Sequence, residues 1–126
     1  MRVVDTSAWL EWLGGSELGR KLGVALPATE EWLVPAIVQY ELKRHLARLA
    51  SEEAAERAIG YSMECMVIPI DTRIAVRAAG LAEDYKLAMS DAIIYATATD
   101  AGADLLTCDA HFATLPGVVY FPKTPV

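Results

Sequence analysis

The chain has 126 residues, enough for one domain over residues 1–126 that buries a core without disulfide or metal staples. Hydrophobic residues make up 54% of it and the mean hydropathy is +0.27, yet no apolar run approaches the roughly 20 residues that cross a bilayer. A formal net charge of −6 excludes a simple basic nucleic-acid module, although four acids gathered in one metal site would account for most of that charge.

The amino terminus lacks the basic, apolar and small-residue series of a signal peptide. Cys65 and Cys108 have no metal-type spacing, so reduced thiols in the cytoplasm are the expectation. The surplus apolar content predicts a surface covered by a protein partner rather than by a membrane.

In chain order, Met1–Asp5 reads as a short buried strand, two β-branched residues running into an acid. Thr6–Leu13 carries Ala8, Trp9, Leu10, Trp12 and Leu13, a helix stopped by Gly14-Gly15. Ser16 and Glu17 open a second helix with Leu18, Leu22 and Leu26 at four-residue spacing, ended by Pro27. Trp32-Leu33-Val34 is a second strand, and Pro35 stands where proline favours a helix start. The helix from Ala36 places Val38, Leu42, Leu46 and Leu49 on one face. Ser51-Glu52-Glu53 starts another, its acids favoured by the helix dipole, ending between Gly60 and Cys65.

Met66–Ile70 is a third strand, and Pro69 puts it at a sheet edge or ends it. Asp71-Thr72 begins a helix that tails off at Tyr85-Lys86. Ser90-Asp91 opens a helix that is apolar nearly all round, buried against the sheet and closed by Gly102. Asp104–Thr107 is a fourth strand and Asp109–Phe112 a short helical turn. Val118–Phe121 is the last strand, and Pro122 and Pro125 mark a tail. Strands alternating with helices predict an α/β fold with a parallel sheet of four to five short strands and right-handed crossovers.

In such a sheet, helix N-termini and strand carboxyl ends share one edge, where open α/β sheets place their ligands. Asp5 ends the first strand and Asp109 follows the fourth by two residues. Asp91 lies in the first turn of its helix, and Glu41 about one and a half turns into the helix after the second strand. Each has an ordinary alternative. Asp5 and Asp109 make good helix caps, Asp91 complements a dipole, and Glu41 can pair with Arg44 or His45.

Taken together, the four acids point to chemistry. Two carboxylates about 4 Å apart repel by roughly 4 kcal/mol at an effective dielectric near 20, so a cluster of them calls for a cation. Oxygen ligands select Mg²⁺ or Mn²⁺, which retains water and suits phosphodiester hydrolysis. Zinc has no support, because His45 and His111 are far apart in sequence and no Cys/His ligand pair stands out.

The motifs Val3-Val4-Asp5-Thr6-Ser7, Glu41 in an early helix, Ser90-Asp91-Ala92, and Leu106-Thr107-Cys108-Asp109-Ala110-His111-Phe112 resemble PIN-domain nucleases. Length and the order of the acids are most similar to a VapC-type toxin of a toxin–antitoxin pair, over nearly the whole chain. The resemblance implies a PIN-like three-layer α/β/α domain and an acidic Mg²⁺ (or Mn²⁺) site of Asp5, Glu41, Asp91 and Asp109. Thr6, Ser7 and Thr107 would hold the carboxylates. It implies endonucleolytic hydrolysis of RNA to a 5′-phosphate and a 3′-hydroxyl, inhibition by a small antitoxin protein, and homodimers.

RNA requires phosphate-binding cations near the acids. The candidates are Lys43, Arg44, Arg48, Arg73, Arg77 and Lys86, each of which could equally belong to a solvated helix face. His111 could reach a phosphate or simply sit on a surface loop. Trp9, Trp12 and Trp32, with Leu10, Leu13 and the leucines of the second helix, are either core or a groove for an antitoxin segment. Two other readings compete. One is a non-catalytic PIN-like module that binds RNA or protein. The other is a haloacid-dehalogenase-type phosphatase, disfavoured because Ser7 stands where that chemistry wants a second acid.

Overall fold

The computed structural model describes residues 1–123; Pro125 and the end of the predicted tail lie outside the described residues. Strand β1 (Arg2–Val4) leads into α1 (Thr6–Leu13) and α2 (Glu17–Leu22), and a 3₁₀ turn over Gly23–Ala25 continues where the second helix was expected to run on. Next come β2 (Trp32–Pro35), α3 (Ala36–Leu49), α4 (Glu52–Ser62) and β3 (Met66–Ile68). Then follow α5 (Thr72–Tyr85), α6 (Met89–Asp100), β4 (Asp104–Thr107), a 3₁₀ turn at Ala110–Phe112, and β5 (Val118–Tyr120).

All five strands are parallel, in the order β3-β2-β1-β4-β5. The α/β expectation therefore holds at the upper strand count. The chain steps outward from β1 to β3 and then crosses to β4 on the far side of β1. Right-handed crossovers put α1–α4 on one face and α5–α6 on the other, giving three layers. β3 is an edge strand, and it stops at Ile68, before Pro69 removes a backbone donor.

The strand residues Val3, Val4, Leu33, Val34, Leu105 and Leu106 are fully buried between the layers. Trp9 of α1 and Trp32 of β2 are buried as well, with ring centroids 4.7 Å apart, so both belong to the core. Trp12 and Tyr61 complete this aromatic cluster, each meeting the other at 5.4 Å. Leu22, Leu42 and Val38 fill the same layer, while Leu49 does not: it is 77% exposed at the end of α3. The apolar stripe of α3 outruns the core beneath it.

Two helices lie between β3 and β4, and they form an antiparallel hairpin. Arg73 Nε and Arg77 Nε, early in α5, sit 2.8 and 3.7 Å from Asp100 Oδ1 at the end of α6. Only one helix of such a pair can present its N-terminus at the strand carboxyl edge, and here it is α6.

Gly19 of α2 packs directly against the backbone of α1. A Cβ added there would lie 2.2 Å from the Glu11 carbonyl oxygen and 3.1 Å from Trp12 Cα, both backbone atoms of α1. Gly19→Ala must push α2 off α1 and should cost about 1–3 kcal/mol. Gly80→Ala, in the middle of α5 with open space around it, should instead gain about 0.5–1 kcal/mol. Urea unfolding of the two variants beside wild type checks both signs.

Candidate metal centre

The carboxyl ends of β1 and β4 are adjacent, and Asp5 and Asp109 emerge there. Asp5 N donates to Leu106 O at 3.0 Å, extending the β1–β4 ladder one residue past the strand. Asp5 is 3% exposed, and both of its carboxylate oxygens accept hydrogen bonds from neighbours. Oδ1 accepts from Ser7 Oγ at 2.8 Å and from Ala8 N at 3.1 Å, and Oδ2 accepts from Thr107 Oγ1 at 2.9 Å. Asp5 is thus the N-cap of α1 and also faces the strand edge; the two expectations for it are compatible. Oδ2 carries one donor and keeps a lone pair for another partner.

The hydroxyls named from the sequence form the frame. Thr107 Oγ1 also accepts from Asp109 N at 2.9 Å, and Ser7 Oγ accepts from Cys108 N at 3.0 Å. Thr6 Oγ1 donates to Glu41 Oε1 at 2.6 Å, reaching from α1 to α3. Glu41 is therefore held by Thr6, with Arg44 instead facing Tyr40 Oη at 3.4 Å. Asp109 Oδ1 accepts from His111 N at 2.9 Å, capping its own 3₁₀ turn.

Asp91 stands in the first turn of α6, whose N-cap is Ala88, two residues before the expected Ser90 start. Asp91, Asp109 and His111 each offer one ligand atom, and these atoms all lie within 4.8 Å of one another. This group could hold a metal ion. His111 Nδ1 is 3.4 Å from Asp109 Oδ1 and 3.7 Å from Asp91 Oδ2. By sequence alone, His111 fits either a phosphate contact or a surface loop. The 3₁₀ turn swings it back over the acids, which is the one signal its spacing from Asp109 carried.

Charge crowding is visible in the acids themselves. Burial pushes Asp5 up to about 6, past the opposing pull of its three donors, and the charge on Asp109 adds to the rise. Asp91 is raised by burial and then by Asp109 and Glu41, with His111 opposing. Asp5, Glu41, Asp91 and Asp109 are thus linked by charge, while Asp91, Asp109 and His111 are the group whose ligand atoms lie close enough to share one ion.

The proposed phosphate contacts separate. Lys86 lines a cleft of about 340 Å³ with Tyr85, Leu87, Ala88, Asp91 and His111. It ends α5 in the left-handed region at φ 57°. Arg73 and Arg77 are not beside the acids: they pair with Asp100, nine residues along α6 from Asp91, roughly 13 Å at 1.5 Å per residue. Lys43 is engaged by Glu52, and Arg44 and Arg48 are exposed on α3.

The PIN domain family model matches residues 2–118. The chain belongs to the PIN domain family. No protein of curated function matches it. Among solved structures, it is similar to a toxin–antitoxin complex from Klebsiella pneumoniae at 28% identity and TM-score 0.81, over 94% of this chain and 96% of that one. It shares its fold with VapC20 of Mycobacterium tuberculosis, a toxin that cleaves the sarcin-ricin loop, at 18% identity and TM-score 0.79, over 94% and 97% of the two chains. DNA-bound VapBC from Salmonella typhimurium matches at 17% identity and TM-score 0.74, over 96% of each chain. The resemblance of this PIN chain to VapC-type toxins thus holds for family and fold.

The buried Asp5 sets a pH dependence in metal-free solution. The unfolded chain releases this proton near 3.8 and the folded chain near 6, so folding binds protons between those values. The contribution favours the folded state below about pH 4, falls away as pH rises to about 6, and leaves a penalty of about 3 kcal/mol above. Urea unfolding in EDTA at pH 4.5 and pH 7 should show a drop in stability that is clearly smaller in Asp5→Asn, where only the raised Asp91 remains to contribute.

Proposed function

We propose that this chain is a single-domain, Mg²⁺- or Mn²⁺-dependent endoribonuclease, the toxin of a cytoplasmic toxin–antitoxin pair. The observation that carries the reading is the convergence of Asp91 and Asp109, with Asp5 and Glu41 coupled to them, at the carboxyl edge of β1 and β4. The family and the solved neighbours support it.

In this reading Asp5, Asp91 and Asp109 hold the ion and Glu41 completes the set directly or through water. A divalent ion bound there supplies positive charge to the phosphate and lowers the pKa of nearby water. Ser7 and Thr107 keep Asp5 from rotating, and Thr6 does the same for Glu41. Glu41 or Asp109 accepts the proton of the attacking water. The water oxygen bonds to phosphorus, the bond from phosphorus to the 3′ oxygen breaks, and that oxygen takes a proton from solvent, giving a 5′-phosphate and a 3′-hydroxyl. Lys86 steers the phosphate chain along its cleft, the local cation that the acidic surface otherwise lacks.

An antitoxin segment fits the groove of about 550 Å³ lined by Leu10, Trp12, Leu13, Leu46, Leu49 and Tyr61. Apolar anchors of an extended or helical peptide would cover these side chains, which accounts for the exposure of Leu49. In this reading a second copy of the chain would cover the α5–α6 face, where Val76 and Met89 are exposed. No helix among the described residues is long and apolar enough to cross a membrane.

Purified protein with RNA and Mg²⁺ should cleave endonucleolytically, and Asp91→Asn or Asp5→Asn should lower the rate at least about 100-fold, ~3 kcal/mol of barrier. Undiminished cleavage in both variants would assign the activity to a contaminant. Folded, RNA-binding protein with no cleavage would favour a non-catalytic binding module, for which the capping role of Asp5 is the supporting observation. Lys86→Ala should raise KM several-fold, leave kcat nearly unchanged, and flatten the salt dependence of RNA binding by about one phosphate contact.

A further inference from the structure

We infer that His111 is a nitrogen ligand of the ion held by Asp91 and Asp109, and that it biases this centre toward Mn²⁺ over Mg²⁺. The inference rests on the metal-centre reading above and concerns a side chain outside the four-acid set.

The distances carry it. A charge-assisted N–H···O bond spans about 2.7–2.9 Å. His111 Nδ1 stands 3.4 Å from Asp109 Oδ1 and 3.7 Å from Asp91 Oδ2, too far to share a proton well with either. Ligand atoms around an ion with bonds of about 2.1 Å lie roughly 3 Å apart when adjacent and about 4.2 Å apart when opposite. Both separations fall in that interval, and the three ligand atoms all lie within 4.8 Å of one another. The imidazole faces the two acids at the spacing of groups that share a cation.

The ring also starts from a fixed backbone. His111 N donates to Asp109 Oδ1 at 2.9 Å, and the next residue, Phe112, is fully buried in the core. The turn is anchored on both sides, so Nδ1 stays near the carboxylates although the His111 side chain is 77% exposed. A nitrogen donor beside carboxylates favours a first-row transition ion over Mg²⁺, whose preference is for oxygen. Mn²⁺ combines tolerance of imidazole with the carboxylate preference of this site.

Mn²⁺ alone, added to the untagged full chain, is the probe. Pulsed EPR should show a nitrogen coupling on bound Mn²⁺ that changes on labelling histidine with ¹⁵N. The chain has two histidines, so His45→Ala should keep the coupling and His111→Ala should abolish it. Calorimetric titration of His111→Ala should show Mn²⁺ binding weakened on the order of tenfold and Mg²⁺ binding changed less than about twofold. His111 is exposed, and an unchanged melting temperature in EDTA would verify that the variant is folded. Bound Mn²⁺ without nitrogen coupling, or a coupling that survives His111→Ala, overturns the inference and leaves the acidic centre standing. Mn²⁺ binding that is absent, or indifferent to Asp91→Asn, overturns the acidic centre itself and this inference with it.

Discussion

The structure depends on burying one carboxylate at the end of β1. Asp5 sits where three elements meet, and its two oxygens join them: Ala8 N and Ser7 Oγ from α1, Thr107 Oγ1 from β4. Burial of a carboxylate is costly unless donors or a cation compensate. Three donors compensate in part, and burial together with the nearby Asp109 still lifts Asp5 to about 6. The remaining cost is the physical reason the edge wants a cation. Thr107 then passes the order on, since the hydroxyl that donates to Asp5 accepts from Asp109 N. One hydroxyl thereby fixes two acids on adjacent strands.

Much of this was legible in the sequence because it is local. Val3-Val4-Asp5 and Leu105-Leu106-Thr107 are buried runs ending in polar residues, and a parallel sheet forces their ends to one edge. The positions of Asp5, Asp109 and the Thr/Ser frame follow from that geometry. Arg73 and Arg77 show where the logic stops. Placing a helix N-terminus at the strand carboxyl edge assumes one helix per crossover, and the α5–α6 hairpin has two. Sequence gives both helices but not which of them faces the edge; the pairing with Asp100 does. His111 escaped for a different reason. A single exposed side chain leaves no periodic signal, and its direction depends on the 3₁₀ turn pinned by Asp109 and Phe112.

The apolar surplus divides along the same line between local and tertiary information. Trp9 and Trp32 are core because a strand and the helix packed on it bring their rings to 4.7 Å. Trp12, one turn further along α1, reaches the rim of the groove with Leu13 and Leu49. All these residues look alike in a hydropathy profile. What distinguishes them is whether a second layer covers them, and at the end of α3 the described residues supply none. An apolar groove of that kind is the place a partner can cover with the largest gain per unit area.

Capping and metal binding are usually weighed as rival explanations for an acid at a helix start. In Asp5 the cap fixes the carboxylate that the proposed centre would use. A carboxylate free to rotate pays conformational entropy when it takes a ligand, whereas one locked by Ala8 N and Ser7 Oγ has already lost that freedom on folding. The same holds for Asp109, whose Oδ1 is fixed by His111 N. The donors leave lone pairs unused, so locking the acids does not saturate them. Local rules of helix initiation therefore organise the edge, and the repulsion they impose among the acids is what gives the edge its demand for a cation.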